Sequence, residues 1–283
     1  MALLYIFPNL SFFSETVLGS ARCPEELLCV HFLDVGQGDA TFIEAPGGAQ
    51  VLIDGGKGSA VLRALAAQMS FFDRDIDVVI ATHPDQDHIG GLVAVLERFA
   101  VGSIVQTENQ NDTSVADAFA AGVAQEGARE ILGRAGTTLT LGHGTAGPVV
   151  LTILFPDRNA AGFESNASSI IAQLVYGETE FMLMGDAPKS IERHLLTQFG
   201  AALASDVLKV GHHGSDTSTD AAFLSAVTPT YGVISAGKDN AYGHPHHAVL
   251  DRLTAAGVIT KNTADVGSVS FVSDGKLIQL DTK

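Results

Sequence analysis

Between Thr82 and Gly91 the chain reads Thr-His-Pro-Asp-Gln-Asp-His-Ile-Gly-Gly, which places His83, Asp85, Asp87 and His88 within six residues. Imidazole and carboxylate donors gathered at one turn are the side chains that hold Zn²⁺ or Mn²⁺, and four of them suit two divalent ions. The competing reading of this stretch is a solvated turn in which Asp87 caps a helix from Gly90 onward. Asp186 follows the apolar run Phe181–Met184. A carboxylate at the end of a buried strand is costly unless it is paired or metal-bound, so Asp186 is the candidate bridge between the two ions. Its alternative role is to cap the helix that begins at Pro188. Asp54, in Asp-Gly-Gly, occupies the matching place earlier in the chain. It is a candidate for orienting a ligand histidine or is simply a turn carboxylate.

Two further histidine clusters complete the set. In His212-His213-Gly214-Ser215 one imidazole is expected to be a ligand and the other to face the substrate. The interval from Asp54 to His83 is 29 residues and that from Asp186 to His212 is 26, which favours His212 as the ligand. Ser215 is a candidate donor to a phosphate oxygen, or a cap for a helix starting near Ser218. His244 precedes Pro245 and is therefore extended. It is a candidate ligand, phosphate contact or acid, against the bland reading of an exposed histidine-rich loop. His31, His143 and His247 read as structural.

These clusters need strands to end where they stand. The run Asp77–Ala81 reads as a buried strand and Gly91–Phe99 as the helix after it. Strand ends are where ligands collect in α/β proteins. Val30–Val35 reads as a strand, Thr41–Glu44 and Gln50–Ile53 as a hairpin, and Ala60–Met69 as a helix. Ser169–Val175 and Glu180–Met184 form a second hairpin, followed by a helix over Pro188–Phe199 and a strand over Asp206–Val210. The repeated order of hairpin, carboxylate, helix, strand and histidine cluster resembles an internal duplication. Thr113–Leu132 has a helical, Ala-rich pattern, Thr137–Phe155 a β meander, Thr230–Ser235 a strand and His247–Ala255 a helix. Ser268–Val272 and Lys276–Leu280 close the chain as a hairpin around Asp274-Gly275. No low-complexity linker interrupts the pattern, so residues 30–283 read as one α/β domain of two sheets with helices outside.

The chain has 283 residues, 16 basic against 32 acidic, for a net charge of −16. Such a surface repels nucleic acid at long range, so nucleic-acid chemistry would need local positive charge, part of which bound metal ions supply. No apolar run reaches ~18 residues, so no spanning helix is indicated. The two cysteines, Cys23 and Cys29, form a disulfide if the protein is exported and stay as thiols in a reducing compartment. Residues 1–29 read as a leader. Its start, Met1–Phe13, is apolar and lacks the Lys or Arg that precedes a secretory signal's apolar run. It is either a signal or anchor remnant or a loosely packed segment.

Together these segments resemble the metallo-β-lactamase superfamily, and within it the hydrolase domain of ComEC-type competence DNA-uptake channels. The resemblance rests on the Thr82–Gly91 segment, HFLDVGQGDA from His31, LIDGG from Leu52, Met184-Gly185-Asp186-Ala187, LKVGHHGS from Leu208 and NAYGHPH from Asn240. It spans Val30 to Leu280. The resemblance implies an αββα sandwich of two mixed sheets, metals at one edge, and hydrolysis by a metal-bound hydroxide. It maps His83, Asp87, His88, Asp186 and His212 onto ligand positions. Two departures stand out: Asp85 replaces a usual histidine, and the stretch Glu164–Ser168 lacks a further ligand histidine, leaving Asn166 as a weak substitute. Both make one site more oxygen-rich, suited to Mn²⁺ as well as Zn²⁺, and argue against β-lactam hydrolysis.

The expectation is a metal-dependent phosphodiesterase or nuclease acting on DNA, with single-stranded DNA as a candidate substrate. Asp87 would orient the attacking water, and His213 or His244 would stabilise charge or protonate the leaving oxygen. Lys209 and Lys238 would steer an anion or stand as solvated lysines. Two alternatives remain open. One is a hydrolase of a small phosphoester, such as a phosphocholine ester or nucleotide. The other is a metal-poor binding module, which Asp85 and Asn166 keep in play. A ComEC-like setting implies an extracytoplasmic domain; without it the chain would be cytoplasmic. ComEC-type channels carry many membrane spans, so the chain reads as a free-standing relative or an excised domain.

Overall fold

The structure, a computed structural model, describes residues 23–281; the leader segment Met1–Phe13 lies outside them. The first half runs β1 (Leu28–Phe32), β2 (Thr41–Glu44), β3 (Gln50–Ile53), α1 (Ala60–Gln68), β4 (Asp75–Ile80), α2 (Gln86–Leu96), β5 (Ala100–Gln106), α3 (Ser114–Glu126) and β6 (Arg129–Leu132). A hairpin, β7 (Thr138–Gly144) and β8 (Gly147–Phe155), opens the second half. It continues with β9 (Ile171–Tyr176), β10 (Thr179–Leu183), α4 (Lys189–Phe199), β11 (Val207–Lys209), α5 (Ala221–Val227), β12 (Tyr231–Ile234), α6 (His247–Ala255) and β13 (Ile259–Asn262). A short α7 (Thr263–Val266) and the hairpin β14 (Val269–Ser273) and β15 (Ile278–Asp281) end it.

Among the described residues the strands form two mixed sheets, ordered β15-β14-β1-β2-β3-β4-β5-β6 and β13-β12-β11-β10-β9-β8-β7. Each has an antiparallel part that passes through a hairpin, β2–β3 or β9–β10, into parallel neighbours joined by helices. The two sheets thus repeat one path, as the order of motifs suggests. The chain end returns to pair β14 with β1.

The period-two alternation of the strands explains the layering. Val51 and Ile53 point inward, with Val30, Phe32, Leu151, Leu174 and Phe181, to form the core between the sheets. Leu52, between them, faces α1 and α2 together with Leu65, Ile89 and Leu92. On the far side Leu195, Leu224 and Leu253 of α4, α5 and α6 cover the second sheet. This is the αββα sandwich. No helix of the described residues is long and apolar enough to cross a membrane.

Several boundaries differ from the sequence expectation. α2 begins at Gln86 with Asp85 in the N-cap position, five residues before the expected start, so Asp87 and His88 ride on its first turn and Asp87 is not the cap. Gly90 and Gly91 are tolerated inside the helix because it packs backbone to backbone. A Cβ at Gly91 would collide with the carbonyl oxygen of Gly55, and Gly91 N donates to Gly56 O at 2.8 Å. The helix expected over Thr113–Leu132 stops at Gly127, whose φ of 68° ends it. Gly is favoured there for lack of a Cβ, and Arg129–Leu132 becomes β6. The helix after the histidine pair starts at Ala221 and is capped by Asp220, not by Ser215. Pro188 is the N-cap residue of α4, so Asp186 is not its cap. β1 starts at Leu28, two residues before the expected Val30, and a disulfide joins Cys23 to Cys29 on that strand.

One buried carboxylate fixes the segment that follows the histidine pair. Glu192 of α4 is 1% exposed and accepts from the backbone N–H groups of Thr219 at 2.6 Å and Asp220 at 2.7 Å. Burial pushes its carboxyl up to about 7, against those two donors. Because the folded pKa is raised, the stability it contributes is fully present below about pH 4.5 and is lost as pH rises through about 7. The wild type is therefore expected to lose up to about 3 kcal/mol between pH 4.5 and 8 from this group. Urea midpoints across that range should fall less for Glu192→Gln.

Candidate metal centre

The strand ends of both sheets meet at one edge of the sandwich. Asp54 follows β3 and Thr82-His83 follow β4, while Asp186 follows β10 and the pair His212-His213 follows β11. Asp54, His212 and His213 all have positive φ, at 58°, 49° and 54°. Non-glycine residues held there are strained, and such strain collects where side chains must be aimed.

Each buried imidazole is oriented by a group that can only accept, or whose own proton is already used. His88 Nδ1 lies 2.7 Å from Asp54 Oδ2, so that nitrogen carries the proton. Its Nε2 then presents a lone pair to Asp186 Oδ1 at 3.3 Å. His213 Nδ1 donates to the carbonyl of Ser235 at 2.9 Å and has Asp39 Oδ1 at 3.1 Å. His213 Nε2 faces Asp186 Oδ2 at 3.3 Å and Asp87 Oδ2 at 3.5 Å. His83 Nδ1 lies 3.0 Å from Thr82 Oγ1, whose hydroxyl donates to Asp54 Oδ2 at 2.6 Å. That leaves His83 Nε2 as a lone pair as well.

His83 Nε2, His88 Nε2, His213 Nε2 and Asp186 Oδ1 are all buried and, among the described residues, without a hydrogen-bond partner. Buried acceptors aimed at one another are costly unless a cation lies between them. Among the described residues four sets of candidate ligand atoms fall within 4.8 Å of one another: His83, His88 and Asp186; Asp87, His88 and His213; Asp39, Asp54 and His88; and Asp39, Asp186 and His213. The donor set, imidazole nitrogens and carboxylate oxygens only, fits divalent Zn or Mn. With protons as the only cations, the same field acts on the histidines. Burial opposes charge on His88 and His213, yet Asp186 with Asp54 or Asp39 outweighs it and raises both. Asp186 goes the other way: despite burial, His213 and His88 hold it well below the usual carboxylate range. Burial, reinforced by His88, lowers His83.

The other expected residues fall around this cluster. Asp85 Oδ2 faces His83 Nε2 at 3.7 Å, while its Oδ1 accepts from Ser165 Oγ at 2.6 Å and Asn111 Nδ2 at 2.8 Å. Asn166, the candidate substitute for a ligand histidine, has a buried Oδ1 with no hydrogen-bond partner among the described residues, and its neighbour Ser165 contacts Asp85. His212 is the more exposed of its pair, with Nε2 3.7 Å from Asp186 Oδ2 and Nδ1 bonded to Thr217 Oγ1 at 2.8 Å. The structure therefore places His213, rather than His212, against Asp87 and His88. Ser215 is buried and accepts from Thr217 Oγ1 at 3.0 Å, so it braces the residue that holds His212. His244 stands at the rim, its ring 5.6 Å from that of His212. Asn240 grips its backbone at both N and O. Burial, with the charges of His212 and His213, lowers His244 to about 4.

Lys209 is neither solvated nor aimed at a substrate: it is buried and paired with Asp39 at 2.7 Å. Lys238 is exposed. Asp39 itself was not expected at the site, although it stands between Gly38 and β2 in the same glycine-bounded setting as Asp54 and Asp186. Ser235, Asn111 and Ser165 carry no such signal. Their contacts to the cluster arise only when distant segments meet. His31 packs on Phe42 and bonds Ser270, away from the centre.

Comparison with known proteins gives the family. Residues 33–238 match the family model described as "Metallo-beta-lactamase superfamily". The chain belongs to the metallo-β-lactamase superfamily. As a member it carries the fold of metal-dependent hydrolases. It is 30% identical over 295 residues to "ComE operon protein 3" of Bacillus subtilis, covering 96% of this chain and 34% of that protein. It is 29% identical over 249 residues to "Competence protein ComA" of Neisseria gonorrhoeae, covering 88% of this chain and 33% of that one. "Recombination protein 2" of Haemophilus influenzae is 29% identical over 88% of this chain and 30% of its own length. The chain thus spans about a third of the length of these relatives. Among solved structures, the metallo-β-lactamase fold protein YhfI from Bacillus subtilis superposes with a TM-score of 0.56 at 12% identity, over 87% of this chain and all of that one. At that identity the likeness shows the superfamily fold alone.

Proposed function

We propose that the chain is a two-metal phosphodiesterase that cleaves single-stranded DNA. The convergence of buried, unpartnered Nε2 atoms on Asp186 carries this reading. The relatives, named as competence and recombination proteins, support DNA as the substrate class. His83, Asp85 and Asp186 would hold one divalent ion, and Asp87, His88, His213 and Asp186 the other, with Asp186 shared. When bound, such ions polarise a phosphoryl oxygen and make water a nucleophile near neutral pH.

The chain's own residues supply the rest. Burial raises the Asp87 carboxyl, but His213 and His88 outweigh it and hold it low, so Asp87 is ionised and accepts a hydrogen bond from the attacking water. His212 is held through Nδ1 by Thr217, whose own proton goes to Ser215, so its Nε2 is a lone pair that would accept a hydrogen bond on the exposed side of the centre. His244, neutral at pH 7 with a pKa of about 4, borders the same opening as a hydrogen-bonding group. Asp54 fixes the tautomer and angle of His88. Asp54→Ala is expected to weaken metal binding roughly 10- to 100-fold, read by competition with a chromophoric chelator. The Cys23–Cys29 disulfide supports an oxidising, extracytoplasmic setting.

The test is cleavage of single-stranded DNA with added Mn²⁺ or Zn²⁺, wild type beside Asp87→Ala and His88→Ala. Cleavage by the wild type and its loss in both variants is expected. Unchanged cleavage in either variant would contradict the assignment. A metal-loaded wild type that leaves DNA intact would move the substrate to a small phosphoester.

A further inference from the structure

A cavity of about 200 Å³ opens beside His83, between the start of α2, the end of β5 and one face of α3. We infer that this cavity is a nucleobase subsite, which receives a base of the strand whose phosphate lies at the metal centre; the inference rests on the phosphodiesterase reading above. Pro84, Ile89, Phe119 and Val123 give it an apolar side. On α3 the small side chains of Ala116 and Ala120, one turn apart, leave the slot open rather than filling it.

The polar edge of the slot is chemically selective. Gln106, Asn109, Gln110 and Asn111 put carboxamides along it, and Asp117 and Glu130 add carboxylates. Three of the amide nitrogens already donate within the protein, Gln106 to Glu130, Asn109 to the Phe163 carbonyl and Asn111 to Asp85, so the edge offers a base chiefly accepting amide and carboxylate oxygens, which suit an exocyclic amine. Among the described residues that line it there is no Lys or Arg. A phosphate inside the slot would meet two carboxylates and no cation, so the phosphate belongs outside, at the metal centre, and an uncharged ring inside. Stacking against apolar and aromatic walls is how single-stranded nucleic acid is gripped without long-range attraction. That suits a chain with a net charge of −16.

The slot and the centre share one wall. Asn111 Nδ2 donates to Asp85 Oδ1 at 2.8 Å, and His83 lines the cavity. A base held there would therefore press on the residues that orient Asp85.

The test is calorimetric titration of the Mn²⁺-loaded protein with deoxyadenosine monophosphate, deoxycytidine monophosphate and 2-deoxyribose 5-phosphate. The two nucleotides are expected to bind the wild type at least about tenfold tighter than the sugar phosphate, by the stacking that a base adds. Ala120→Phe, on the exposed side of α3, fills the slot and should bring all three ligands to the affinity of the sugar phosphate. Equal affinities in the wild type, or no binding of any of the three, would overturn the base subsite whatever DNA cleavage shows. An unchanged preference for nucleotides in Ala120→Phe would overturn it too. Base-dependent binding without any cleavage of single-stranded DNA would keep the subsite and remove the nuclease reading.

Discussion

Asp186→Ala is expected to abolish hydrolysis. Asp186 is the carboxylate that faces both halves of the cluster, with Oδ1 toward His88 and Oδ2 toward His213 and His212. Removing an orienting partner of one ligand costs roughly 10- to 100-fold in metal affinity or activity. Removing the shared ligand acts on both ions at once, so the loss in initial rate should exceed that range and reach at least about 10³-fold. The fold should survive, because the anchoring of the loop does not use the side chain: Asp186 donates its backbone N–H to Ser169 Oγ at 3.1 Å. Initial rates on DNA beside a thermal melt of the metal-free protein separate the two effects. A variant that melts like the wild type yet keeps a tenth of its rate would show that Asp186 is not shared.

Lys209→Met is expected to cost about 3–5 kcal/mol of stability, the penalty for leaving a buried charge without its partner. Lys209 and Asp39 are almost fully buried and 2.7 Å apart, and Lys209 Nζ also donates to the carbonyl of Val210. Burial opposes ionisation of Asp39, but Lys209 and then His213 overcome it and hold the carboxyl below its usual range. Asp39→Asn with Lys209→Met removes both charges, and pairs replaced together are often close to neutral. The double variant should therefore recover much of the loss, measured by urea unfolding of the metal-free protein. Additive losses would mean that the pair is not coupled. Because Asp39 also flanks His213 Nδ1, the double variant should regain stability without regaining full metal affinity.

Much of this centre was legible in the chain because its parts are local. A buried apolar run ending in a carboxylate or a histidine cluster marks Asp54, His83 and Asp186 at strand ends, and the structure puts each there. α6 runs over His247–Ala255 as its pattern indicates. Elements whose local pattern is interrupted were not legible. β5 contains Gly102, where the carbonyl of Asp77 leaves no room for a side chain, and that packing is invisible in its own residues. β13, Ile259-Thr260-Lys261-Asn262, is an edge strand only partly covered, so it lacks a buried strand's apolar signature. The histidine pair shows the limit most clearly. Interval counting between the two halves favours His212, but adjacent residues in a left-handed kink send their rings apart. Only the packing against Asp39 and Ser235 distinguishes the inward one, His213. Lys209 reads alike as a buried or a solvated lysine until β11 is brought against Asp39, 170 positions earlier in the chain.

The most direct test of the account is the number of divalent ions held per chain after reconstitution with Mn²⁺ or Zn²⁺ and removal of excess. It should be measured by inductively coupled plasma mass spectrometry on the wild type, His213→Ala and His212→Ala. Two ions are expected in the wild type, fewer than two in His213→Ala, and two in His212→Ala. A wild type that holds at most one ion, or a loss of metal in His212→Ala with both ions kept in His213→Ala, would contradict the account.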